Sequence, residues 1–281
     1  MHPDDVPSNV MILDTTLRDG ELAPGIQLST HQKISIAKLL EEIGVDVIEV
    51  GYPGAFPKDF DEIISVSKEI KNSIVCGLAG SNSEEIRTVT SAIKSAEKGR
   101  IHIYTLVNLK HQSQLSEEQT LQLIQESVSL ARNYCPDVEW SAFDAPRSEP
   151  DFLCKAVEVA IKSGATTISI PDSLGTLSPG EFSRLIFRIV NQVSNIEQVT
   201  LSVHCHDDLG LAVENSLAAL DYGARQIECS INGLGARKGN ADLGKIVSAI
   251  NQNPNYHVNI NTALLPAASQ VVTQVMGIKR S

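Results

Sequence analysis

Eight short apolar, β-branched runs recur along the chain, each parted from the next by a stretch of helical period, and this alternation restricts the fold more than any other feature. The runs are Val10 to Asp14, Val45 to Gly51, Ser73 to Ala79, Arg100 to Val107, Val138 to Asp144, Thr166 to Ile170, Val199 to His204 and Arg225 to Ser230. Helical patterns between them include Thr30 to Ile43, Glu117 to Ala131 and Pro179 to Val193. Several open at a capping residue: Ser83 before Glu84 and Glu85, Ser116 before Glu117 and Glu118, Ser178 before Pro179. Strand and helix in regular succession give a parallel sheet. A doubly wound open sheet shares the alternation, but eight even units over about 250 residues fit a closed barrel better. The predicted fold is therefore α/β: a single-domain (β/α)8 TIM barrel. A tail at residues 1–9 precedes the barrel at 10–255, and a helical extension follows at 256–281, with Asn261 to Gly277 as an extra amphipathic helix.

Composition narrows the partners. With 281 residues and 42% hydrophobic content the chain can bury a sizeable core. Asp plus Glu outnumber Lys plus Arg by 34 to 23 and no basic block occurs, so counterion release has little to act on and nucleic acid is excluded as a partner. The opening MHPDDVPSNV has neither a charged n-region nor an apolar h-region, and no apolar run approaches the roughly 20 residues that span a bilayer. No membrane partner and a cytoplasmic location are expected. The five cysteines, Cys76, Cys135, Cys154, Cys205 and Cys229, are scattered through apolar contexts and read as reduced core thiols.

A barrel places its chemistry at the C-terminal ends of the strands. After the first run, Asp14-Thr15-Thr16-Leu17-Arg18-Asp19-Gly20-Glu21 gathers three carboxylates and an arginine in eight residues. Alone, such a segment reads equally well as a solvated turn. At the seventh run, His204-Cys205-His206-Asp207-Asp208 puts two imidazoles on one side of an extended backbone. Two hydrogen-bonded histidines would satisfy that spacing, and so would two ligands of one ion. Neutral nitrogens with carboxylate and amide oxygens suit Zn²⁺, Mn²⁺, Co²⁺ or Fe²⁺ and admit Mg²⁺. After the eighth run, Asn232-Gly233-Leu234-Gly235-Ala236-Arg237-Lys238-Gly239-Asn240-Ala241-Asp242 has its third glycine one position late for a dinucleotide fingerprint. It reads better as a loop carrying one ligand over the barrel mouth, with Arg237 and Lys238 free to meet an anionic substrate.

DTTLRDGE, the IPD at the sixth run, HCHDDLGLAVENSLAALDYGARQIECSINGLG and the loop ending in GN together resemble a family over nearly the whole chain. It is the family of metal-dependent acyltransferases and lyases that includes 2-isopropylmalate synthase, homocitrate synthase, citramalate synthase and hydroxymethylglutaryl-CoA lyase. GARQIECSING is most similar to the isopropylmalate synthases, and the lyase's cysteine-bearing loop is absent. The resemblance implies a divalent metal (Mg²⁺, Mn²⁺ or Zn²⁺) and condensation of acetyl-CoA, or another acyl-CoA, with a 2-oxo acid to give an alkylmalate and free CoA. It implies Asp19, His204, His206 and Asn240 as metal ligands, Arg18 as catalytic residue, and Arg18, His102, Ser141 and Ser173 as oxo-acid contacts. His102, Ser141 and Ser173 also fit ordinary hydrogen-bonded core positions. A homodimer is the expected assembly.

Departures from the family fall at the mouth. Phe143 stands where a glutamate is usual, Leu22 where the family has Gln, and Ala236 where it has Glu. Phe143 then becomes a wall for the substrate, implying either a bulkier, more hydrophobic oxo acid or loss of catalysis. Family synthases continue into accessory helices and a regulatory domain. With the sequence ending at Ser281, both are expected to be absent, a separate subunit could supply the helices, and the proton acceptor has no candidate. An aldol or Claisen lyase and a non-catalytic oxo-acid-binding paralogue are the alternative functions.

Overall fold

The computed structural model describes residues 7–112 and 115–277; positions 1–6 of the expected tail and 278–281 of the expected extension lie outside the described residues. Eight parallel strands close into a barrel: β1 (Met11–Asp14), β2 (Val47–Gly51), β3 (Ile74–Gly80), β4 (Gly99–Leu106), β5 (Val138–Phe143), β6 (Thr167–Asp172), β7 (Thr200–Cys205) and β8 (Gln226–Cys229), with β8 pairing back onto β1. Each nearly coincides with one of the eight apolar runs. Around them run α1 (Thr30–Ile43), α2 (Asp59–Glu69), α3 (Ser83–Ala92), α4 (Glu117–Tyr134), α5 (Pro150–Lys162), α6 (Pro179–Gln192), α7 (Ala212–Leu220), α8 (Leu243–Asn251) and α9 (Leu265–Val275).

Local chemistry sets the helix starts. Ser116 and Ser178 form reciprocal capping boxes with Gln119 and Glu181, and Ser29 does so with Gln32. The expected cap at Ser83 is displaced by one residue. Asn82 takes the position, its backbone extended and its side chain accepting from the Glu85 amide at 2.9 Å, so Ser83 is the first helical residue. Asparagine caps at least as well as serine. Beyond the barrel, Ser8–Asn9 pairs in parallel with Tyr256–His257, and α9 packs on α1 and on the loop after β8.

Alternation along the strands divides the molecule into an apolar shell and a polar centre. Ile12, Ile48, Ile103, Trp140, Ile168, Val203 and Ile227 belong to one continuous apolar cluster with the helices. The intervening strand positions carry Glu49, Arg100, His102, Glu139, Ser141, Ser169, Ser202, His204, Gln226 and Glu228, all buried. Barrel interiors are usually filled by branched apolar side chains, so each of these polar groups requires a partner. All five cysteines are free and buried, in line with the sequence reading. No described helix is long and apolar enough to cross a membrane.

Helix α1 ends at Gly44, whose φ of 95° lies in the left-handed region and whose Cβ, if present, would sit 2.4 Å from the Asn259 carbonyl oxygen. Gly44→Ala is therefore expected to destabilise the fold by about 1–3 kcal/mol, read as a lower urea midpoint with an unchanged m-value. An unchanged midpoint would show that the turn has no such strain.

Candidate metal centre

Three loops at the C-terminal ends of adjacent strands converge. Asp19 follows β1, His204 and His206 lie on and just after β7, and Asn240 follows β8, where a bridge to His206 holds it across the mouth. Donor atoms of Asp19, His204 and His206 lie within 4.8 Å of one another. Asp19 Oδ2 is 3.8 Å from His204 Nε2 and 3.9 Å from His206 Nε2, too far for hydrogen bonds. The second nitrogen of each ring is engaged elsewhere: His204 Nδ1 with Glu228 Oε2 at 2.8 Å, His206 Nδ1 with the Gly239 carbonyl at 3.3 Å. Asn240 donates from Nδ2 to the Leu234 carbonyl at 2.9 Å, while its buried Oδ1 has no partner. Two imidazole nitrogens and a carboxylate oxygen are thus left close together, with an orphaned amide oxygen on the neighbouring loop, and this donor set fits a divalent cation. Gly235 makes room for the Asn240 and Asp19 side chains, since a Cβ there would lie 2.3 Å from Asn240 Nδ2 and 3.0 Å from Asp19 Oδ1.

Electrostatics match that use. Burial pushes the Asp19 carboxyl upward, but Arg18 and the two imidazoles hold it below the usual carboxylate range. Burial opposes charge on His204, yet Glu228 raises it; burial and the neighbouring His204 push His206 down to about 4. With ring centroids 5.0 Å apart, charge on one imidazole opposes charge on the other.

Arg18 sits beside this set, with Nε donating to Glu49 Oε2 at 2.7 Å and a terminal nitrogen donating to Asp19 Oδ2 at 3.0 Å. Glu49 also accepts from the Thr15 hydroxyl at 2.7 Å and pairs with His102 Nδ1 at 2.8 Å, and His102 Nε2 meets Ser141 Oγ at 2.7 Å. Arg18, His102 and Ser141 therefore form one connected group through Glu49. Burial pushes Glu49 up, and Arg18 and His102 more than reverse it, leaving the carboxylate ionised far below its ordinary range. For His102, burial opposes charge, but Glu139, Glu49 and Glu228 push the ring up to about 9.

Other expected positions come out differently. Ser173 Oγ accepts from the Asp144 amide at 3.0 Å, so this hydroxyl ties the ends of β5 and β6 together. Arg237 is not free for a substrate: its guanidinium is clamped on Asp208 at 2.9 and 2.8 Å and donates to the Ser173 carbonyl at 2.8 Å. Ala236 has no polar side chain, yet its amide donates to Asp19 Oδ1 at 2.8 Å and fixes that carboxylate. Phe143 is 40% exposed, with its ring 5.8 Å from that of Tyr104, on the rim rather than in the centre. Leu22 is likewise exposed and, with Ile26, Tyr52, Phe56, Lys58 and Arg18, lines a cavity of about 300 Å³. Sequence reasoning missed Glu49 and Glu228. The available signal was a lone carboxylate inside an apolar strand, VIEVG and QIEC.

The profile of the HMGL-like family matches residues 9–272. The chain belongs to the HMGL-like family. Among curated family members it is 44% identical over 277 residues to a 2-isopropylmalate synthase of Rhodopseudomonas palustris (strain HaA2), covering 96% of this chain and 53% of that protein. Against a 2-isopropylmalate synthase of Methylococcus capsulatus it is 44% identical over 274 residues, covering 95% and 53%. The chain thus spans about half the length of the curated relatives it matches. Solved structures share the fold. A hydroxymethylglutaryl-CoA lyase from Pseudomonas aeruginosa superposes with a TM-score of 0.80 at 21% identity, covering 98% of this chain and 95% of that one. The carboxyl transferase domain of Rhizobium etli pyruvate carboxylase gives 0.76 at 16% identity, covering 96% and 48%.

The His102 ring carries a pH signature. Raised from 6.5 to about 9 on folding, it contributes stability that is fully present below pH 6.5 and is lost as pH rises through 9. In urea titrations from pH 6 to 10 the difference in stability between wild type and His102→Gln is expected to shrink across that window. A difference independent of pH would show that the ring is not charged in the fold.

Proposed function

We propose that this barrel is the catalytic unit of an acyltransferase of the isopropylmalate-synthase type, joining the acetyl group of acetyl-CoA to a 2-oxo acid with a hydrophobic side chain. The observation that carries the reading is Arg18. Its guanidinium is locked between Glu49 and Asp19 and stands beside the donor set of Asp19, His204, His206 and Asn240. Bound by those four residues, a divalent cation (Mg²⁺, Mn²⁺ or Zn²⁺) would supply Lewis-acid polarisation of the substrate ketone. Arg18 then offers N–H donors to the oxygen that becomes an alkoxide when the acetyl carbon attacks, a preorganised stabilisation of developing charge. We assign the substrate carboxylate to the Ser141 hydroxyl, which His102 orients through Nε2 while its Nδ1 pairs with Glu49. Ser173 sits at the edge of the same space and orients the β5 end. The cavity of about 300 Å³ beside Arg18 accommodates the acyl arm, with Lys58 at its margin.

Leu22, Phe56, Leu174 and Leu209, each following a different strand, and Phe143 at the end of β5 are exposed around the mouth. These side chains do not transfer protons, and their apolar character supports a covering element: accessory helices from a second polypeptide or from a fuller chain. We assign to that element the group that deprotonates the acetyl methyl. Alignment of the whole described barrel with lyase chains favours, as a second reading, a Claisen-type lyase that works with the barrel alone.

Free thiol release from acetyl-CoA, measured over a panel of 2-oxo acids with each cation, is expected for branched or aromatic side chains. Cleavage of a 3-hydroxyacyl thioester without such release would select the lyase. Arg18→Gln is expected to lower kcat by about 10²–10³-fold. His204→Ala is expected to abolish stoichiometric metal binding in equilibrium dialysis, and retention of a full equivalent would overturn the ligand set.

A further inference from the structure

The polar interior below the mouth is ordered so that every proton position follows from one residue. Arg100, 3% exposed, is a donor without acceptor capacity. One of its terminal nitrogens donates to Gln226 Oε1 at 2.8 Å and to Glu139 Oε2 at 2.8 Å. Gln226 must therefore present its carbonyl to Arg100 and its amide nitrogen to the other side, where Nε2 donates to Ser202 Oγ at 2.9 Å and to Glu139 Oε1 at 2.8 Å. Since the Ser202 oxygen already accepts from Gln226, its proton goes to Glu228 Oε1 at 3.0 Å. Ser169 donates to the same Glu228 oxygen. The remaining carboxylate oxygen, Oε2, faces His204 Nδ1 at 2.8 Å. A carboxylate only accepts, so the neutral His204 ring must carry its proton on Nδ1, which leaves Nε2, the nitrogen nearest Asp19, with the lone pair.

Resting on the metal reading above, we propose that Glu228 is the positioning residue that fixes the His204 tautomer, and that Arg100, Gln226 and Ser202 hold Glu228 in the orientation this requires. The relay crosses the barrel from β4 through β8 and β7 and back to β8, so the ligand geometry at the mouth is determined from within the barrel. Glu228 lies behind His204, on the ring nitrogen opposite the one nearest Asp19. Outer partners of this kind set ring orientation and ligand basicity and are worth about 10–100-fold in metal affinity. Glutamine at this position fits the space but has one carbonyl oxygen for two demands. With the Ser169 and Ser202 protons directed at that oxygen, its amide nitrogen faces His204 Nδ1 as a donor and favours the opposite tautomer.

The test uses long-range ¹⁵N–¹H correlation spectra of the His204 ring in metal-free protein, at a pH where the ring is neutral, together with Zn²⁺ dissociation constants from chelator competition. Wild type is expected to show Nδ1 protonated and Nε2 bare. Glu228→Gln is expected to shift the ring toward the Nε2-protonated form and to weaken Zn²⁺ binding about 10–100-fold, with far-UV circular dichroism unchanged. Ser202→Ala, which deletes one hydroxyl, is expected to weaken Zn²⁺ in the same direction by less, and it carries the affinity readout if Glu228→Gln does not fold. Wild-type protein with Nε2 protonated overturns the relay. So does a Glu228→Gln protein with the wild-type tautomer and affinity. Failure of the metal reading looks different: wild type and His204→Ala bind Zn²⁺ equally poorly, while the wild-type tautomer still reports on Glu228.

Discussion

Carboxylates buried inside a barrel are the constraint from which this site is built. Glu49, Glu139 and Glu228 are at most 1% exposed. An ionised carboxylate in such surroundings is sustained only by cations and donors at hydrogen-bond distance. Arg18 and His102 answer Glu49, Arg100 answers Glu139, and His204 with two serine hydroxyls answers Glu228. Because Arg18 and His204, at the mouth, answer Glu49 and Glu228, meeting the burial requirement also orients the chemistry. Removing one carboxylate would strand several donors at once, and for that reason the interior behaves as a unit rather than as separate pairs.

Much of the architecture was legible in the amino-acid order, because strand and helix periods are local. The eight runs and the capping serines at 116 and 178 follow from neighbours in sequence, and closure was inferred from the even repeat of eight units. Asn82 escaped because two adjacent residues could both cap and the backbone decided between them. At the site, the His204–His206 spacing and the acidic loop at Asp19 pointed to the residues the structure brings together. Glu49 and Glu228 were hidden inside runs read as apolar, since a single charge barely alters a run's average. Which group answers each depends on pairings made far away in the chain, such as β2 with the loop after β1 and β7 with β8. Arg237 illustrates the reverse: a cation that looked available is already spent on Asp208.

Rim and interior follow opposite rules. Inside, Glu49, Glu139 and Glu228 each meet a cation or a donor; outside, Leu22, Phe56, Phe143, Leu174 and Leu209 present apolar surface to solvent around the opening. Exposed apolar groups gathered about an active-site mouth mark a surface that gains from being covered. Leu22 and Phe143 lie on this rim, whereas position 236 acts through its amide, so its side chain does not determine the hold on Asp19.

The four donors come from the two ends of the barrel's strand order: Asp19 just after β1, the others from β7 onward. Those ends meet only at the β8–β1 pairing, the one contact that turns an open sheet into a ring. An ion held by Asp19, His204, His206 and Asn240 would bridge the closure from above, as a clasp does on a bracelet. Loading the site and sealing the ring would then be linked equilibria, and the last pairing to form would also be the one most protected once the cation is in place.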